Sequence, residues 1–279
     1  MRPDRAFGST DRPLGYPMRP HIHLLTAAAA LTACAAPTPE PRRHGPLVGD
    51  GDAVFFVGNS FFEWQARSLP TWVAGIGEAA TPPLRLEVGG DIVPGDLPLA
   101  DFLGHEATQA ALASRRYDVF VLQGHEFEPV DHKAEFHRSV RELDAAIRAA
   151  GGRSVLFMTW GFHFRPFVDE LAASYEEIAG ELDIPVIPAG LVHDDCTRDP
   201  PPGRSGHWLT ADDNHPDGDL HQNAFGTAAN AFTTFAVLTG RDPRGLTPPM
   251  AADEIDAATL AYLAERAHAR ASVRLQPVH

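Results

Sequence analysis

Residues 53–61 read Ala53-Val54-Phe55-Phe56-Val57-Gly58-Asn59-Ser60-Phe61. Five apolar residues run without a polar break, then a glycine and a polar pair interrupt them. A short continuous apolar run is the pattern of a strand buried on both faces, as in a parallel sheet. The glycine marks a turn that leaves Ser60 just past the strand's carboxyl end. Similar runs recur at 84–88 (LRLEV), 119–122 (VFVL), 155–158 (VLFM) and 185–187 (PVI).

Helical periodicity fills the gaps. In 131–150, Phe136, Val140, Leu143 and Ile147 fall on one helical face, and Gly151-Gly152 stops the pattern. In 168–182, Leu171, Tyr175, Ile178 and Leu182 do the same. Two further helices are predicted at 224–239 and 253–270. Strands alternating with helices predict an α/β fold. Right-handed crossovers make it a three-layer α/β/α sandwich around a five-stranded parallel sheet. In such folds the functional site lies beyond the carboxyl ends of the strands.

The chain has 279 residues, enough for one core plus tails. Its formal charge is −14 and it holds no long basic run, which argues against a nucleic-acid partner. Two cysteines, Cys34 and Cys196, make neither a disulfide framework nor a zinc site. From Met18 the sequence reads MRPHIHLLTAAAALTAC. A basic residue and an apolar run too short to span a bilayer read as an export signal. The expected organisation is a signal peptide over 1–33, with Met18 as an alternative start. A Pro-rich flexible tether follows over 34–50, then a folded domain over 51–279.

Four strand ends carry polar or glycine signals. Ser60 follows the first strand, where a nearby helix N-terminus would favour a developing oxyanion. The same serine reads as a helix N-cap, with Glu63 completing a capping box. Gly89-Gly90 follows the second strand, and paired glycines let backbone approach a ligand. Gln123 follows the third and can donate a side-chain hydrogen bond. After the fifth comes Asp217-Gly218-Asp219-Leu220-His221, just before a helix, where a histidine beside carboxylates suits a general base. Ser, Gly, Gln and Asp/His thus converge on one edge of the sheet.

In this block order residues 53–243 resemble the SGNH (GDSL-like) hydrolase superfamily, in its flavodoxin-like fold. Val57-Gly58-Asn59-Ser60-Phe61 resembles the first block in its Gly-Asn-Ser form. Gly89-Gly90 resembles the second. The usual Gly-x-Asn-Asp third block is absent, and Gln123-Gly124-His125-Glu126 is similar to the variant of sialate-esterase-like members. Thr159-Trp160 and 184–190 (IPVIPAG) also resemble recurrent segments. His221, Gly226 and the helix after them fit the last block, although Gly218 stands where the acid belongs.

The resemblance implies Ser60 as nucleophile, His221 as base, and Asp219 or Asp217 as its orienting acid. Asp212-Asp213-Asn214-His215 is an upstream alternative with the right Asp-x-x-His spacing. Ser60, Gly90 and Gln123 are the implied oxyanion donors, with no cofactor and no metal. Leu31-Thr32-Ala33-Cys34 resembles a lipobox, with Cys34 as the lipidated residue. The expected protein is an exported, membrane-anchored lipoprotein that touches the membrane only through its lipid. It is expected to hydrolyse a carboxylic ester of a small molecule or a glycan, deacetylating a carbohydrate in the first reading. A lipid or small-acyl esterase, and a surface-anchored glycan-binding protein with impaired catalysis, are the alternatives.

Overall fold

The opening apolar run forms β1 (Ala53–Gly58), buried along its whole length. A computed structural model describes residues 45–95, 97–210 and 220–272. After β1 comes a small antiparallel hairpin of β2 (Glu63–Trp64) and β3 (Arg67–Ser68). The remaining strands are β4 (Glu87–Ile92), β5 (Val119–Leu122), β6 (Arg153–Phe157) and β7 (Val186–Ile187). They join β1 in one five-stranded sheet of order β4-β1-β5-β6-β7, every neighbouring pair parallel.

Nine α-helices occur among the described residues: α1 (Leu69–Ala79), α2 (Leu99–Phe102), α3 (Glu106–Ser114), α4 (Glu128–Asp131), α5 (Lys133–Ala150), α6 (Val168–Leu182), α7 (Ala189–Arg198), α8 (Ala224–Thr239) and α9 (Ala257–Ala271). α1, α8 and α9 pack together, with α7 against α8 and α9; α3, α5 and α6 form the second group. This is the expected three-layer α/β/α sandwich with a flavodoxin-like strand order. None of these helices is long and apolar enough to cross a membrane.

α5 ends as its glycines predict. Gly151 takes a left-handed φ of 94°, and the N–H groups of Gly151 and Gly152 close on the carbonyls of Arg148 and Ile147. α8 is buried almost all round, and three of its four threonines turn back on the helix. Thr227, Thr233 and Thr239 each donate to the carbonyl four residues earlier. This lets a helix rich in hydroxyls sit in an apolar layer.

The second strand departs from its expected place. It runs over Glu87–Ile92 rather than 84–88, so Gly89-Gly90 lies inside it. Pairing with β1 starts only at Ala53↔Glu87, while Leu84 and Leu86 are buried in the connection that precedes it. A Cβ on Gly89 would stand 2.5 Å from the Tyr117 hydroxyl. The glycine therefore makes room for a side chain packed on the sheet. Directly after the fifth strand the chain forms the helix α7, which the periodicity of the sequence did not reveal.

His193 on α7 is buried, donates from Nε2 to Asn230 Oδ1 on α8 at 3.0 Å, and stacks on Trp160. Burial pushes its pKa down to about 3, so it is neutral in the fold. An unfolded histidine titrates near 6.5. Stability is therefore intact above pH 6.5 and falls as pH drops from there toward 3, because only the unfolded chain takes up the proton. Urea unfolding at pH 7.5 and pH 5 should show a loss that is smaller by about 2 kcal/mol in His193→Gln than in wild type. An equal loss in both proteins would remove His193 from this account.

Candidate active site

The site starts with the turn after β1. Phe62 N–H donates to Asn59 O (3.0 Å), Glu63 N–H to Ser60 O (3.1 Å), and the Asn59 side chain accepts Phe61 N–H (3.1 Å). Phe61 and Phe62 are buried in the core and fix this turn from below. No helix begins here: α1 starts at Leu69, with Ser68 at its N-cap position. The expected capping role of Ser60, and the capping box with Glu63, are corrected accordingly. Two buried phenylalanines and the β2–β3 hairpin take up the chain that a helix would have needed.

Ser60 Oγ lies 2.8 Å from His221 Nε2, across 161 positions of sequence. Both residues are buried, at 7 % and 4 % exposure. With the imidazole proton on Nδ1, the hydroxyl donates to Nε2, the geometry a general base needs.

Three features hold His221 there. Trp160, past the end of β6, donates from Nε1 to the carbonyl of Leu220 at 3.0 Å. Asn223 caps α8, its side chain accepting the N–H groups of Phe225 and Gly226 while Nδ2 donates to Trp208 O. A Cβ on Gly226 would stand 2.3 Å from Leu209 O. The glycine five residues after the histidine is thus what lets residues 208–209 press against the start of α8. Two rings contact the imidazole: Trp64 is stacked on it, with centroids 3.6 Å apart and planes 5° apart, and Phe61 meets it edge-on at 5.5 Å.

Gln123 follows β5, adjacent to the Ser60 turn. Its Oε1 accepts Asn59 N–H at 2.9 Å and its Nε2 donates to Gly124 O. A Cβ on Gly58 would meet that Oε1 at 2.5 Å, so the glycine before the serine leaves space for the glutamine. Gly90 lies opposite Phe56, two residues before the end of β4; the strand leaves the sheet at Ile92, where Val93 N–H donates to Gly58 O (3.0 Å). Glu128 ties the same edge together, accepting Leu99 N–H and His125 N–H. Its burial raises the carboxyl pKa, against those hydrogen bonds.

The structure therefore brings Ser60, His221 and Gln123 to one sheet edge, with Gly90 inside the neighbouring strand. Asp217, Asp219 and the alternative Asp212–His215 lie outside the described residues, as does Cys34. Cys196 is buried, which pushes its thiol up to about 12 and suits a packing role rather than a nucleophile. No group of three or more His, Cys, Asp or Glu side chains is placed to hold a metal ion among the described residues. Sequence reasoning gave no role to Trp64 or Asn223, and none beyond resemblance to Trp160. Asn223 did carry a signal, since an asparagine directly before a helix is a preferred cap.

No family model matches the sequence, and no curated protein matches it. Among solved structures the chain is similar to a DUF4886 family protein from Bacteroides uniformis. That match has 14 % identity, covers 81 % of this chain and 97 % of the other, and has a TM-score of 0.60. It is also similar to a protein from Slackia heliotrinireducens described as an SGNH hydrolase, at 22 % identity over 64 % of this chain and 95 % of that one, with a TM-score of 0.51. The chain has the fold of the SGNH hydrolases.

Trp160→Phe tests the support under the histidine. It removes the indole donor from the Leu220 carbonyl, which costs about 0.5–1.5 kcal/mol. Labelling of Ser60 by a fluorophosphonate should slow at least about tenfold, as expected when one group of a reacting pair is misplaced. A wild-type labelling rate in a destabilised Trp160→Phe would show that this hydrogen bond does not position His221.

Proposed function

We propose that this protein is a serine hydrolase acting on carboxylic esters. The observation that carries the reading is the 2.8 Å contact between Ser60 Oγ and His221 Nε2 at the carboxyl edge of a parallel sheet. Ser60 attacks the ester carbonyl carbon while its proton passes to His221 Nε2. The tetrahedral intermediate collapses, the C–O bond to the alcohol breaks, and His221 returns the proton to the leaving oxygen. Water then repeats the sequence on the acyl-enzyme and frees the acid. The N–H groups of Ser60 and Gly90 and the side chain of Gln123 are the proposed oxyanion donors. Asp219 or Asp217 is the proposed partner of His221 Nδ1.

The finer reading is deacetylation of a carbohydrate. It is supported by the resemblance of Gln123-Gly124-His125-Glu126 to the sialate-esterase-like block. Acetate release from an O-acetylated glycan, compared with cleavage of long-chain p-nitrophenyl esters, separates it from a lipid esterase. The export signal and the Leu31–Cys34 sequence support a lipid anchor at Cys34. Cys34→Ala should stop incorporation of labelled fatty acid in a bacterial host, and undiminished labelling would refute the anchor.

Ser60→Ala and His221→Ala should each lower kcat for p-nitrophenyl acetate by about a thousandfold or more, with unchanged melting temperatures. A folded Ser60→Ala protein that keeps its activity would sink the assignment.

A further inference from the structure

The hairpin between the Ser60 turn and α1 has no evident need to exist for the sheet. β2 and β3 contribute two residues each and belong to no other sheet. Its two turn residues, Gln65 and Ala66, have φ of 50° and 62°. This is the left-handed region, which a two-residue hairpin of this kind requires and which Asn and Gly fill more easily. Strain of this sort persists only where the surroundings hold it. The surroundings do so at both ends. Leu69 N–H donates to Phe62 O at 2.7 Å across the base, and Arg67 pairs with Glu254 at 2.6 Å.

What the hairpin delivers is Trp64. Its indole lies flat on the His221 imidazole, centroids 3.6 Å apart and planes 5° apart. Phe61 closes on the same ring edge-on. An imidazole on a flexible side chain can turn about χ2, and a turn would take Nε2 away from Ser60 Oγ. A parallel indole on one face and a phenyl against the ring hold one ring plane. In that plane the imidazole places Nε2 2.8 Å from Ser60 Oγ.

We infer that Trp64 is a positioning residue for the Ser60–His221 pair, and that the strained hairpin serves to hold it there. This inference rests on the esterase reading above. The indole acts in two ways: it fixes the plane of the imidazole, and it keeps water off one face of it.

The test compares Trp64→Ala and Trp64→Phe with wild type on p-nitrophenyl acetate across pH 5–9. Trp64→Ala should lose about tenfold in kcat with KM within about twofold, as expected when the catalytic pair loses alignment but substrate binding is kept. Trp64→Phe keeps a ring over the histidine and should recover most of kcat. Wild-type kcat in Trp64→Ala, a loss confined to KM, or a Trp64→Phe protein as impaired as Trp64→Ala would each overturn the inference. Ser60→Ala in the same assay keeps the two questions apart: if it stays active, the esterase reading fails; if it is inert while Trp64→Ala is unaffected, only the role of Trp64 fails.

Discussion

β1 lies between β4 and β5 with every residue buried, so its backbone can satisfy its hydrogen bonds only within the sheet. The parallel register that results fixes where the chain leaves the sheet. Gly58 pairs beside Ile92, and Val57 beside Leu122. Ser60 and Gln123 emerge next to each other because their strands are neighbours. Gly58 has no side chain, and the Gln123 amide fills that space and holds the turn by Asn59 N–H. Once the serine is fixed in this way, the remaining problem is to bring a histidine from residue 221 to it.

Among the described residues, contacts to the backbone on either side of the histidine contribute to this. Trp160 holds the Leu220 carbonyl, Asn223 caps α8 while reaching Trp208, and Gly226 admits the Leu209 carbonyl. Each is a hydrogen bond that a different residue would lose, or a close approach that a side chain would block. Around the ring the packing is aromatic. Trp64 and Phe61 touch the imidazole, and Phe61 also packs against Trp160. One set of rings thus joins the Ser60 turn, the histidine and the tryptophan that supports its loop.

Much of this architecture was legible in residue order. The buried strands announce themselves by uninterrupted Val, Phe and Leu, and 119–122, 168–182 and 224–239 coincide with β5, α6 and α8. The glycines of β4 were harder, because a glycine that makes room for Tyr117 inside a strand looks like one that ends it. The turn at Ser60 was misread for a related reason. Ser-Phe-Phe-Glu satisfies the local pattern of a capped helix, and only the burial of both phenylalanines decides against it. The pairing of Ser60 with His221 came from the convergence of strand ends and from family resemblance, not from local chemistry. Trp64 left no signal at all: its neighbour on the ring is 157 residues away in sequence, and an isolated tryptophan after a turn carries no periodicity.

The account stands on Ser60 being a nucleophile activated by His221. Treating the full chain with a fluorophosphonate and mapping the adduct by peptide mass spectrometry tests this most directly. The predicted result is a single modified peptide with the adduct on Ser60, and labelling that is lost in His221→Ala. A protein that stays unlabelled, or carries the adduct on another residue, would contradict it.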